Sequence, residues 1–143
     1  MSPDILFSLA GTLALVGWAA LLASPVLPKF ADAVAGLLVP LLLSAAYAGL
    51  IVAYWGSGQG GFGSLDEVAQ LFQTRELLLA GWIHYLAFDL FIGAWITREG
   101  RRTGMPFWLV LPCLPLTFLF GPAGLLLFFV LRLARSRSMA LAA

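Results

Sequence analysis

A histidine and an aspartate, His84 and Asp89, lie five residues apart inside Gly81-Trp-Ile-His-Tyr-Leu-Ala-Phe-Asp-Leu-Phe-Ile-Gly-Ala-Trp-Ile96, which otherwise reads as a membrane-spanning helix. A carboxylate near the bilayer centre costs about 2.5 kcal/mol or more on translocon scales, so one that is kept there marks a functional site. Counted from Leu77 at about 1.5 Å per residue, His84 is roughly 10 Å into the helix and Asp89 roughly 18 Å, close to mid-bilayer. At about 100° per residue the two point roughly 140° apart, so they do not share one stripe. Tyr85 and Asp89 are one turn apart on the same face, which Gly93 and Ile96 continue and which Trp82 adjoins. His84, Phe88, Phe91 and Trp95 form the other stripe.

Three chemistries compete for Asp89. It locks helices together through a hydrogen bond to Tyr47, Tyr85, Ser44 or Thr117. It acts as a catalytic acid, kept protonated by its apolar surround and able to give a proton to a lipid-soluble substrate. Or it exchanges a proton for a cation during transport. His84 reads either as a singly hydrogen-bonded core residue or as a base beside Asp89. The expected catalytic residues are therefore Asp89, His84 and Tyr85. Trp82, Phe88, Phe91, Trp95 and Tyr47 line a slot for a long flat polyene or pack a core, and Arg75 and Glu76 stand at its mouth. No metal or other cofactor is called for, because a metal wants several His, Cys or carboxylate ligands and the region offers few; a haem or metal shared across a dimer stays an alternative.

The elements that must hold these residues follow from composition. Of 143 residues 62% are hydrophobic and 10% charged, with a mean hydropathy of +0.98, far from the roughly 25% charged of a soluble domain. This is an integral membrane protein. A net charge of +1 and the lack of a cationic run exclude nucleic acid as a partner. The single Cys113 has no intrachain disulfide partner and reads as a small buried residue. The run from Ile5 lacks a basic n-region and reads as a first helix, not a signal peptide. Abundant Ala, Leu and Arg with a single Lys point to a bacterial inner membrane as the location.

Four runs are long enough for a bilayer core that needs about 20 residues as helix: roughly 5–27, 31–54, 77–97 and 106–131. The expected fold is all-α, one polytopic four-transmembrane-helix bundle spanning 1–143. Pro25 and Pro28 place a tight turn between helices one and two, and Pro40 should kink helix two. Gly56-Ser-Gly-Gln-Gly-Gly-Phe-Gly63 holds five glycines in eight residues and reads as a loop. Its literal GxGxxG lacks a preceding strand, so it is not a nucleotide site. Ser64 with Glu67 is a capping-box pattern, and Leu65, Val68, Leu71 and Phe72 recur at helical spacing, so a short amphipathic interfacial helix is expected at about 64–75, before helix three. Pro112, Pro115, Gly121 and Pro122 predict bends or a break in helix four. Four crossings put both termini on one side with Arg75, Arg132, Arg135 and Arg137; Lys29, Arg98, Arg101 and Arg102 face them, and this four-to-four balance leaves orientation undecided.

The motifs His84-Tyr-Leu-Ala-Phe-Asp-Leu-Phe91 and Phe120-Gly-Pro-Ala-Gly124, with the surrounding Gly81–Gly93 and Leu111–Leu127 segments, resemble the abscisic-acid-deficient-four family, membrane proteins linked to neoxanthin synthesis. The resemblance runs from helix one to the end of helix four. It implies isomerisation of an epoxy-carotenoid, violaxanthin, to the allenic neoxanthin, which needs an acid and a base but no obligatory electron carrier. Asp89 as acid and His84 as base is one division of roles. The partners implied are a carotenoid or other polyene lipid and the membrane lipids, with a homo-oligomer as a further expectation. Two other classes compete: a non-catalytic pigment-binding or assembly subunit of a membrane complex, and a small proton-coupled four-helix transporter. A pigment that co-purifies separates the first two from the third.

Overall fold

A computed structural model of the protein describes residues 2–141, with side chains described from 2 to 136. Every regular element among them is helical. Helix α1, Pro3–Leu22, starts where Ser2 accepts a hydrogen bond from the Ile5 N–H at 3.4 Å and Pro3 supplies a preset first turn. A turn across Ala23–Leu27 leads to α2, Pro28–Ala33, again opened by a proline. Pro40 has no N–H to offer the Gly36 carbonyl one turn back. The chain absorbs this not as a plain kink but as a π turn, Val34–Leu38, before continuing as α3, Val39–Tyr54.

The glycine loop follows, with Gly60 at a φ of 94°. Ser64 then caps α4, Leu65–Leu71, by accepting from the Glu67 N–H at 3.2 Å. The reciprocal half of the capping box is displaced by one residue: the Glu67 carboxylate accepts from Gly63 at 2.9 Å. The helix stops at Leu71, earlier than its hydrophobic spacing suggested.

Helix α5, Arg75–Arg102, is 28 residues long, about 42 Å at the usual rise. Its buried residues include Ile83, Leu90, Ala94 and Ile96, and it packs against α1 and α3. Pairings along it fix direction. Asp4, Phe7 and Trp18 of α1 meet Arg75, Trp82 and Gly93 in that order, so α1 runs parallel to α5. Asp32, Gly36 and Tyr47 meet Arg101, Arg98 and His84, so α2–α3 runs antiparallel. Three helical stretches, Pro3–Leu22, Pro28–Ser57 and Arg75–Arg102, are long and apolar enough to cross a membrane.

The fourth hydrophobic run departs from expectation. It divides into α6, Phe107–Val110, α7, Cys113–Phe120, and α8, Pro122–Leu141. From Val110 beside Gly100 it climbs antiparallel to α5 as far as Phe118, level with Tyr85. There it reverses. Phe128 and Phe129 lie against Trp95, Arg132 pairs with Glu99 at 2.9 Å, and Arg135 donates to the Gly104 carbonyl at 3.2 Å. Helix α8 thus retraces the level of α5 from its middle to its end, parallel to it, and packs against α7.

The run 106–131 is therefore a helical hairpin with its tip at Gly121. The reversal follows from local chemistry: Pro122 cannot continue the hydrogen-bond ladder, and Gly121 takes φ 35° and ψ −91°, a conformation that side-chain-bearing residues avoid. Close approach needs Gly124, where a Cβ would sit 2.6 Å from the Cys113 carbonyl oxygen. The start of α1 and the end of α8 consequently lie at opposite ends of α5, not on one side. The four-to-four charge balance dissolves with them. Arg75 lies at the Asp4 end, while Lys29, Arg98, Arg101, Arg102, Arg132 and Arg135 lie at the other. Arg137 falls outside the described side chains.

Candidate functional site

Asp89 stands 14 residues from the start of α5 and 13 from its end, the midpoint of the long helix. Its carboxylate faces the hairpin tip. A Cβ on Gly121 would lie 2.6 Å from Oδ1 and 3.1 Å from Oδ2, so only a glycine lets the backbone turn come this close. Oδ2 is buried and, among the described residues, has no hydrogen-bond partner. A carboxyl oxygen in that position costs several kcal/mol unless the group is protonated or a bound molecule satisfies it.

Of the four donors expected from the sequence only Tyr85 interacts with the carboxyl group, and none is paired with Oδ2. Thr117 donates to the Cys113 carbonyl at 2.8 Å. Tyr47 and Ser44 are on the opposite face of α5, along α3. Tyr85 lies one turn away and interacts with the carboxylate electrostatically, but its hydroxyl donates to the Phe118 carbonyl at 2.8 Å. That bond has a specific cause. The Phe118 carbonyl would pair with the N–H of residue 122 in an unbroken helix, and Pro122 has none. Tyr85 thus satisfies the group that the break leaves open, and in doing so pins the tip of the hairpin next to Asp89.

The same face carries an apolar cavity of about 390 Å³ lined by Trp82, Tyr85, Leu86, Phe118 and Leu119. Trp82 stacks on Tyr85 with ring centroids 5.3 Å apart and meets Phe7 at a tilt, 5.7 Å away. Beyond Trp82 a second cavity of about 280 Å³ runs to the Asp4–Arg75 ion pair. Arg75 therefore stands at a cavity mouth, and Glu76 is half-buried beside it.

His84 belongs elsewhere. Its ring stacks on Phe88 at 4.6 Å and meets Tyr47 edge-on at 5.5 Å, and it lines a cavity of about 300 Å³ between α3, α4 and α5. Phe91 continues this face under the Arg98 guanidinium, 5.9 Å above its ring. Trp95 leaves the stripe to pack against Phe128 and Phe129 of α8. The structure thus brings together Asp89, Tyr85 and Trp82, and separately His84, Tyr47, Phe88 and Phe91. It does not bring His84 to Asp89.

Two contributors were missed in the sequence. Gly121 was read as part of a bend, yet it is the surface on which Asp89 rests. The Phe118 carbonyl was legible through Pro122 four residues on, but its partner Tyr85 depended on the reversal. Among the described residues no three His, Cys, Asp or Glu side chains gather as a metal site.

Three long apolar helices, one with a carboxyl oxygen unpartnered at its midpoint against the broken tip of a helical hairpin, define a helical membrane protein. The profile of the ABA DEFICIENT 4-like family matches residues 5–128, and the chain belongs to that family. It is accordingly a carotenoid-related membrane protein of the neoxanthin-linked group. No curated protein and no solved structure matches it.

Proposed function

We propose that this protein isomerises an epoxy-carotenoid to an allenic one, with Asp89 as the catalytic acid. The observation that carries the proposal is the buried, unpartnered Oδ2 of Asp89 at the hairpin tip, one turn along α5 from an aromatic, apolar cavity fit for the end of a polyene. Asp89 gives its proton to the epoxide oxygen as a carbon–oxygen bond breaks and a hydroxyl forms. The carboxylate left behind then takes a proton from the adjacent polyene carbon, and that C–H electron pair becomes the new double bond of the allene. One proton is given and one recovered, so no electron carrier and no second base are needed. His84, on the other face, has no part in this step.

The arrangement also supports a topology of three crossings plus the hairpin, and the Ala-, Leu- and Arg-rich composition with a single Lys supports a bacterial inner membrane. Exposed Leu65 at the start of α4 suits that helix to the interface. With all the described cations except Arg75 at the α8 end, the positive-inside rule makes that end cytoplasmic. Ser2→Cys and Ser136→Cys proteins should then be labelled from opposite sides of the membrane by an impermeant maleimide, with buried Cys113 silent. Labelling of both from one side would mean that the last helix crosses.

The function is tested by pigment chromatography of a violaxanthin-producing bacterium expressing the wild-type or the Asp89→Asn protein. Wild type should yield an allenic product, and Asp89→Asn should lose it about 100-fold or more. An unchanged pigment profile with wild type would falsify the enzyme reading.

A further inference from the structure

The face of α5 that the proposed reaction leaves unused carries its own groove. It lies between α3 and α5 with a volume of about 280 Å³, and Gly36, Leu37, Pro40, Ser44, Phe88 and Phe91 are among its walls. The π turn at Val34–Leu38 and the proline after it shape one wall. At one end stands Arg98. Its guanidinium lies 5.9 Å over the Phe91 ring and 3.0 Å from where a Cβ on Gly36 would be. At the other end Phe88 closes the groove, with His84 stacked on it and Tyr47 edge-on to His84.

Two properties of this groove identify an occupant. Arg98 to Phe88 is ten residues of helix, about 15 Å, which is half of a hydrocarbon core about 30 Å thick. The groove and the guanidinium beyond it together span one leaflet. Charge supplies the second property. Arg101 pairs with Asp32 at 2.6 Å, Arg102 with Glu99 at 2.7 Å and Arg132 with the same Glu99. Arg98, half-buried at the same level, has a ring and a glycine backbone for neighbours and no carboxylate among the described residues. A cation so placed, above an apolar trough, complements a phosphate carrying a hydrocarbon chain.

We propose that the α3–α5 groove and Arg98 form a binding site for an anionic phospholipid of the leaflet at the α8 end, with one acyl chain in the groove and the headgroup phosphate on the guanidinium. The surplus of cations over Asp32 and Glu99 at this end selects a lipid of net negative charge over a zwitterionic one. The site is independent of the Asp89 chemistry.

Native mass spectrometry of the delipidated protein, titrated with palmitoyl-oleoyl phosphatidylglycerol or phosphatidylcholine, tests it. For the first bound lipid, wild type should prefer phosphatidylglycerol about tenfold, because both lipids offer a phosphate to Arg98 but only phosphatidylcholine brings a choline cation into the cationic cluster. Arg98→Gln should lose that preference. Ser44→Trp, which fills the groove from an exposed position, should lose it with Arg98 intact, and so carries the test if Arg98→Gln does not fold. Lys29→Gln, which removes a nearby exposed cation, should keep it. Absence of preference in wild type, retention in Ser44→Trp, or equal loss in Lys29→Gln would each overturn the site, the last by showing a diffuse surface effect.

Discussion

The two long faces of α5 teach opposite lessons about polar groups in a membrane. On the α3 face His84 is half of an aromatic sandwich, its ring stacked on Phe88 and edge-on to Tyr47, so its apolar surface is used and its residue stays exposed to the lipid side. On the hairpin face Asp89 meets backbone at the Gly121 turn and finds no donor for Oδ2. Neighbouring groups have every opportunity to satisfy it. Tyr85 and Thr117 spend their hydroxyls on carbonyls instead. An unpaired carboxyl held in place by the fold is what an acid for an incoming substrate needs. An exposed histidine, stacked on Phe88 and met edge-on by Tyr47, is not so held.

The sharpest way to break this comparison is to remove each polar group without changing its size. Asp89→Asn should reduce product in carotenoid-making cells by about 100-fold or more, since general acid catalysis contributes about 10² to 10⁴. Protein level by immunoblot must stay comparable. If Asp89→Asn and wild type give equal product, the two faces do not differ in function and the acid lies elsewhere.

Next in size are the glycines that let the two faces form. Gly121→Val forces a branched residue into φ 35° and drives its Cβ into the Asp89 carboxyl at 2.6 Å. Strain and overpacking together should cost about 2–4 kcal/mol, read as a large fall in melting temperature in detergent. Gly36→Ala on the other face meets the tip of the flexible Arg98 side chain at 3.0 Å and should change stability by less than about 0.5 kcal/mol. Equal effects would mean that the hairpin tip is not tightly placed.

How much of this was legible before folding depends on which kind of information each residue carries. The three long helices, the turn at Pro25–Pro28, the cap at Ser64 and the opposed directions of His84 and Asp89 all follow from local periodicity and proline chemistry. The fourth run did not. Its prolines and glycines announced a break, but a break fixes only where hydrogen bonds fail, not whether the chain bends or reverses. Reversal is decided by tertiary contacts, Gly124 on the α7 backbone and Phe128 beside Trp95 and Gly100. The charges at 132 and 135 did carry a signal. A crossing would have parted them from Glu99 and Gly104, which the hairpin brings to their side. Missing the reversal also hid the Gly121 backbone that faces Asp89, while its neighbour Tyr85 was among the partners read from the sequence.

Smaller effects sharpen the same contrast. Tyr85→Phe keeps the stack on Trp82 and removes the bond to the Phe118 carbonyl, leaving that part-buried carbonyl without the tyrosine donor. The expected loss is about 1–2 kcal/mol, measured by melting in detergent. Activity should fall further than stability explains, because the hairpin tip that positions Asp89 loses its pin.

His84→Phe should do least. Phenylalanine preserves the ring stacked on Phe88 and the edge offered to Tyr47, and it removes a polar group from a surface facing lipid, so stability should hold within about 0.5 kcal/mol or rise. Product formation should stay within about twofold of wild type, a change too small for a lost catalytic base, which would cost at least about 100-fold. Loss of product on that scale would place the chemistry on the α3 face, making the unpaired oxygen of Asp89 a structural feature of the hairpin and His84 the group to which substrate must come.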